Sequence, residues 1–348
     1  MTTEPNQSRA TGRRAGRGAL VLLALGGALL LSVPWWADTY WIRIATGILM
    51  WAGLACAWNV IGGYAGYISF GHSAFFGLGA YATAILMGDR FAAPFAAGLL
   101  LGIVLASIAA AAIGWPTLRL RGAYFAIATW AFAELVFQLA TVLDITGGTA
   151  GLSVPPFLDE RFFYFSMLAS ALATYGVCYV LLERSRFGYR LKAVRDNELA
   201  AESLGIDTTT VKLQAFVLSA AIPALFGGIY AFWITFINPQ SVLAGDIADQ
   251  MVVMVLVGGL GNLWGPAIGA TSMYLVNRLF LATWGSTTAY IAVLGLVIGA
   301  VVLFLPDGLV SLWPRARRPH LLHKLLARAL GERPAATEPG TTMLEKHP

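Results

Sequence analysis

The sequence predicts an all-α membrane protein: a polytopic bundle of about 8–10 transmembrane helices with both termini in the cytoplasm. Three observations predict it. Hydrophobic residues make up 58% of the 348 and charged residues only 12%. A soluble domain carries roughly 25% charged residues, so this chain cannot cover a water-exposed surface. Apolar runs recur at the length, about 18 residues or more, that a helix needs to cross some 30 Å of hydrocarbon. The runs are continuously apolar, whereas the strands of a membrane barrel alternate over about 10 residues. Finally, basic residues fall on one side. With the N-terminus inside and the spans alternating, 19 of the 23 Lys and Arg lie in cytoplasmic segments, as the positive-inside rule requires.

Helices are expected over 18–36, 41–61, 68–88, 92–114, 123–143, 162–182, 212–236, 248–262, 265–284 and 287–305. The first follows Arg13, Arg14 and Arg17 but leads into Pro34-Trp35-Trp36 rather than a small-residue cleavage site, so it reads as a retained span. The organisation is then a cytoplasmic segment 1–17, a transmembrane domain 18–310 interrupted by the cytoplasmic loop 183–211, and a basic tail 311–348 that lacks apolar content beyond about residue 330. Gly-rich stretches 62–79 and 258–269 are places where a span could break or re-enter. Cys56 and Cys178 lie inside predicted helices and read as core or lipid-facing thiols. The net charge of +5 resides beside apolar segments, which argues against nucleic acid and for membrane lipid.

Several chemistries are absent. No Lys follows a Gly, so there is no phosphate-cradling loop and no ATPase motif of the chain's own. No H-E-x-x-H and no Cys/His cluster suggests a metal. His72-Ser73 sits in G-H-S-A-F, which is not a nucleophile elbow. No catalytic residue is assigned, and an intramembrane hydrolase is disfavoured.

The loop 183–211 is the most informative segment. Asp196 or Asn197 can cap a short helix starting at Glu198, and Gly205 suits its C′ position. Ala200 and Ala201 leave room for a close partner surface. The segment reads as a docking element parallel to the membrane, or more plainly as an amphipathic loop helix with solvated charges. Elsewhere, Gly261, Gly265 and Gly269 repeat every four residues, a helix-packing face. Ser69, His72 and Ser73 add polar groups to the Gly-rich stretch, where broken transporter helices expose backbone to solute. Glu134, with Gln138 one turn on, is a mid-span carboxylate, expected to face the bundle or a cavity as part of a solute path, or to be a hydrogen-bonded core group. Asn59 and Asn277 read as bridges between helices, Arg278 as a snorkelling cation, and Asp246 and Asp249 as caps.

Ala200-Ala201-x-x-x-Gly205 resembles the end of the E-A-A-x-x-x-G coupling loop of ABC importer permeases, with the Glu one place early at Glu198 and no Ile-x-Leu-Pro in register. Together, Trp58 to Tyr81 (WNVIGGYAGYISFGHSAFFGLGAY), Gly188 to Ile206 and Gly258 to Ala270 resemble the branched-chain amino acid ABC permease family over roughly 40–310. The long N-terminus and tail look like the larger permease of a pair. The resemblance implies a permease subunit in a bacterial inner membrane that binds no cofactor. A second permease, two ATP-binding subunits that hydrolyse the ATP, and an extracytoplasmic solute-binding protein complete the importer. Asp196, Asn197, Glu198, Ala200, Ala201 and Gly205 become the ATPase-coupling residues. Branched-chain amino acids are the implied solute, with urea, amides and aromatic acids as alternatives in the same machinery. An ion-coupled secondary transporter and a passive channel are the rivals from other classes. The former would rely on intramembrane acids, of which Glu134 is the clear mid-span example.

Overall fold

The computed structural model describes residues 27, 29–88, 91–120, 122–284 and short pieces of 295–312. Most of the expected span 287–305, the N-terminal segment 1–17 and nearly all of the tail 311–348 lie outside those residues. So does most of the expected span 18–36, of which 29–36 are helical.

Eleven α-helices follow among the described residues: α1 Thr39–Asn59, α2 His72–Met87, α3 Phe95–Thr117, α4 Ala123–Val142, α5 Glu160–Cys178, α6 Arg186–Asp196, α7 Glu198–Ser203, α8 Thr208–Ile234, α9 Pro239–Val242, α10 Gly245–Gly258 and α11 Gly265–Trp284. Wide π turns extend α1 over Val60–Tyr64 and α5 over Tyr179–Glu183. Six helices are long and apolar enough to cross a membrane, counting α1 and α5 with their π turns and α9 with α10. The chain is thus an all-α, multi-pass membrane protein. The only described sheet is a two-residue antiparallel pair, β1 Leu152–Ser153 and β2 Phe236–Ile237, with Leu152 opposite Ile237.

Burial separates the helices into two kinds. In the most apolar stretches of α1 and α8, 78% and 72% of residues are buried, against 22% in both α3 and α4. The first two are therefore the centre of the bundle, and the last two present most of their surface outward. Helix α2 packs between α8 and α3, while α1 packs on α5, α8 and α11. Small residues set these spacings. A methyl on Gly79 of α2 would overlap the backbone of Ala224 in α8, and Gly102 of α3 touches Gly79 from the other side. Apolar side chains have no advantage over lipid tails, so close backbone contact supplies the attraction instead.

Three expectations need correction. Helix 68–88 begins only at His72, because 65–70 run as bend and extended chain, with Gly66 at φ 78°. The break is held in place by named bonds: Tyr67 N donates to Ile61 O (3.0 Å), Trp58 Nε1 to Ser69 O (2.7 Å) and Phe70 N to Thr129 Oγ1 (3.2 Å). Helix 248–262 ends at Gly258, because Gly259 and Gly261 take φ of 124° and 68°, a backbone region that helices do not use. Gly261 therefore does not share a helix face with Gly265 and Gly269. The close contact is made instead by Gly258 and Gly265, whose backbones meet, and by Gly269 against the Met254 carbonyl.

Candidate functional site at the 186–203 helix pair

The loop 183–211 holds two helices, where the sequence suggested one. Ser185 Oγ accepts from Phe187 N (3.1 Å) and starts α6. Gly188, Leu191 and Val194 are its buried stripe. A serine followed by apolar residues at helical spacing was a legible signal for this helix.

Asn197 then serves two helices at once. Its N–H donates to Ala193 O and closes α6, while its Oδ1 accepts from Ala200 N (3.1 Å) and opens α7. Asn197 is thus the cap; Asp196 is the last residue of α6. Six residues later α7 ends in paired Schellman bonds, Ile206 N to Ala201 O (3.1 Å) and Gly205 N to Glu202 O (2.9 Å). Gly205 takes φ 80°, which a side chain would strain. Asp207 caps α8 through Thr210, whose hydroxyl and N–H hold the exposed carboxyl below its ordinary range.

One side of α7 is rooted and the other is free of the bundle. Glu198 at its start pairs with Lys212 of α8 at 2.5 Å. Lys212 is only 2% exposed, and its Nζ also donates to Leu118 O (2.9 Å) and Tyr67 Oη (3.1 Å). Tyr67 in turn donates to the second Glu198 oxygen (2.7 Å). A buried ammonium is costly unless paired and hydrogen-bonded, and here both conditions are met. Four segments, the 65–70 break, the end of α3, α7 and the start of α8, thus converge on one ion pair, Glu198–Lys212. Ala201 also packs inward, contrary to its expected place on the partner surface. Outward stand Ala200, Leu199 (61% exposed) and Leu204 (81% exposed).

A second set of bonds ties α6 to the same region. Glu183 accepts from Tyr64 Oη (2.5 Å) and Lys192 Nζ (2.9 Å). Arg195 lies across Gly66 and Gly261, leaving no room for a methyl at Gly261. Asn59 clips the turn after α10, accepting from Gly261 N and donating to Asn262 O, both at 3.0 Å. The lysine network is what sequence reading missed. Its one clue was Lys212 itself, a cation just inside an apolar segment.

The remaining site residues lie elsewhere. Ser69, His72 and Ser73 are wholly buried. The His72 ring meets Phe75 and Phe216 edge-on, and among the described residues neither its nitrogens nor Ser73 Oγ finds a hydrogen-bond partner. Glu134 and Gln138 are not in the bundle interior. Both are exposed on α4 and bond each other, Gln138 Nε2 donating to Glu134 Oε1 (2.6 Å). Cys56 and Cys178 are buried and unbridged. Among the described residues no group of three or more His, Cys, Asp or Glu is placed to hold a metal ion.

Six helices long and apolar enough to span a bilayer, with a short helix anchored on one side and exposed on the other, make this a multi-pass membrane protein. The chain belongs to the family described as branched-chain amino acid transport system / permease component, whose model matches residues 40–306. Among its relatives is the high-affinity branched-chain amino acid permease LivM of Salmonella typhimurium, 28% identical over 84% of this chain and 75% of the relative. LivH of Escherichia coli, from a system of the same description, is 24% identical over 75% of this chain and 91% of the relative. The autoinducer 2 import permease LsrC of Salmonella paratyphi B is 24% identical over 64% and 67%.

Proposed function

We propose that this chain is one of two paired permease subunits of an ATP-driven importer and that it carries branched-chain amino acids. The observation that carries the ATP-driven reading is the two-sidedness of α7. Its apolar tip, Leu199, Ala200 and Leu204, faces away from the bundle, while Glu198 is locked to Lys212 and Tyr67. A push on that tip reaches α8 and the 65–70 break without passing through a flexible loop. Asp196, Asn197, Glu198, Ala200, Ala201 and Gly205 form and anchor this coupling element for one of two ATP-binding subunits. Those subunits bind and hydrolyse the ATP; this chain binds no cofactor.

The one-sided distribution of basic residues supports a cytoplasmic helix pair and cytoplasmic termini. An extracytoplasmic binding protein delivers solute to the opposite end. Similarity to relatives named LivM and LivH alike supports a second, related permease as partner. Helix α4 supplies the face for it. An exposed mid-span carboxylate is costly against lipid, so Glu134 and Gln138 face the second permease and the solute path between the two subunits. Ser69, His72 and Ser73, buried beside the break, are the polar groups that a rocking bundle would open to that path. The relatives named for branched-chain amino acids support the solute, and the relative named for autoinducer 2 shows that related chains serve other cargo.

The test is co-purification. This chain, tagged and gently solubilised from native membranes, is expected to bring an ATP-binding protein with it. Leu204→Arg and Gly205→Arg are expected to lose that protein, and Leu204→Arg does so with no change in folding, since Leu204 touches little of the bundle. Absence of any ATP-binding protein with the native chain, in conditions that preserve other complexes, sinks the reading in favour of ion-driven transport.

A further inference from the structure

Helix α8 runs unbroken from Thr208 to Ile234 with Pro223 inside it. Proline has no N–H to give, so the Ser219 carbonyl one turn earlier loses its helical partner. The Ser219 hydroxyl does not replace that bond, since it donates to Phe216 O (2.8 Å). The ladder is therefore interrupted at one level, near the middle of the helix. Its two ends are held by different elements. Near the start, Lys212 is fixed to Glu198 of α7. Near the end, Trp233 Nε1 donates to Glu160 of α5 (2.9 Å).

The two halves also meet their neighbours differently. Beyond Pro223 the contact is backbone on backbone. Gly79 of α2 lies against the Ala224 main chain and Gly227 against the Phe76 carbonyl, and a methyl at either glycine would overlap them. Gly228 touches Thr83 of α2, and Gly98 and Gly102 of α3 close on Thr83 and Gly79 from the other side. Such glycine faces hold helices together where no apolar driving force does. Before Pro223 the contact is made by rings. Phe216 meets His72 and Phe75 of α2 at centroid distances of 6.5 and 5.5 Å, and Phe125 of α4 at 5.6 Å. Among the described glycines none has the main chain of 208–222 as its nearest neighbour. Among the described hydrogen bonds none joins 213–222 to α2.

A helix with an interrupted ladder bends there most readily, and rings can slide where touching backbones cannot. We propose that Pro223 is a positioning residue, the hinge about which the first half of α8, 208–222, swings away from the start of α2. The second half stays welded to α2 and α3. The swing takes Phe216 off the His72 ring and admits water to His72 and Ser73, whose side chains have no hydrogen-bond partner among the described residues. Hydration of these groups offsets the lost ring contact. Thr83 Oγ1 is unpartnered as well, but it stays dry because the glycine contacts around it do not part. The hinge rests on the importer reading above, which supplies the push on α7. It makes the movement a bend inside this subunit rather than a rigid rotation of it.

The experiment uses the intact transporter purified through this chain in lipid nanodiscs, with its ATP-binding protein attached and with Cys56→Ala and Cys178→Ala. Ser73→Cys, His72→Cys and Thr83→Cys, made one at a time, report water access through their rate of reaction with a small charged methanethiosulfonate. The rates at 73 and 72 are expected to change about 10-fold between the nucleotide-free complex and the complex with ATP and vanadate. The rate at 83 is expected to stay constant. Pro223→Ala gives back the missing N–H and should abolish that change, while the ATP-binding protein still co-purifies. Pro223→Gly keeps the helix weak at this level and should restore part of the change. Packing damage alone would rank the two variants the other way, since glycine deletes more of the buried side chain. A native-sized change in Pro223→Ala overturns the hinge and leaves the importer reading intact. So does a rate at 83 that moves with the rate at 73, because α8 then moves as one rod. So does a constant rate at 73 and 72 with the ATP-binding protein attached. If no ATP-binding protein comes with this chain, the importer reading fails and takes the hinge with it.

Discussion

The two ends of this bundle treat charge in opposite ways. At the end that carries α6 and α7, Lys212 is buried and fully engaged, with a carboxylate, a phenol and a backbone carbonyl around one ammonium. At the other end, Arg278, Asp246 and Asp249 stand exposed beside a hollow, and among the described residues none of them has an opposite charge within 4.0 Å. Buried, paired charge fixes helices relative to each other; exposed charge is solvated where it stands and holds little in place. The contrast is between charge that holds helices together and charge that does not.

The sharpest way to break the comparison is Lys212→Met. It removes a buried ammonium that now meets the Glu198 carboxylate, the Tyr67 hydroxyl and the Leu118 carbonyl. Loss of one partner of a buried pair costs roughly 3–5 kcal/mol, so the thermal midpoint of the detergent-solubilised chain should fall steeply. Lys212→Met with Glu198→Leu should recover part of that loss, because both members of the buried pair are then replaced by apolar side chains. If the single substitution melts like the native protein, the network is not what holds α7. A smaller effect is expected where the cavity wall is set by packing alone. Gly269→Ala pushes a methyl into the Met254 carbonyl, separating α11 from α10 at a cost of about 1–3 kcal/mol. Thermal unfolding measures it, and an unchanged midpoint would mean that the two helices yield freely. The smallest effect belongs to Arg278→Gln. Its stability change should stay within about 0.5 kcal/mol, as for an exposed substitution. A large drop in midpoint would make Arg278 a structural cation like Lys212 and erase the difference between the ends.

How much of this was legible in sequence follows from the distance over which each feature is encoded. Helices α1, α3, α4, α5 and α8 arise from continuous apolar runs, and their ends fall within a few residues of expectation. Asn197 and Gly205 were also legible, because a cap is a local bond between neighbours in sequence. The start of α2 was not. Its glycines signal a break, but where the chain re-enters a helix depends on Trp58 and Thr129 holding 69–70 extended. The lysine network joins residue 212 to 67, 118 and 198, a convergence that no local spacing contains. Asp246 and Arg278 were read singly, as a cap and a snorkelling cation, and only the packing of α10 on α11 sets both beside one space. Glu134 illustrates the opposite error. Hydropathy put a carboxylate in mid-span but could not say which side of α4 it occupied.

The two π turns hold one further consequence. Tyr64 closes the first and Glu183 closes the second, and the two side chains meet at 2.5 Å. A π turn accommodates one more residue than the α-helical turn it replaces. Removing a single residue from either segment would let the helix rewind to ordinary pitch and swing everything beyond it by about 100°. The reading frame of the helix, rather than the identity of any residue in it, is therefore what brings tyrosine and glutamate together. Among related chains, length across 60–64 and 179–183 should be kept or changed in step, even where the letters drift.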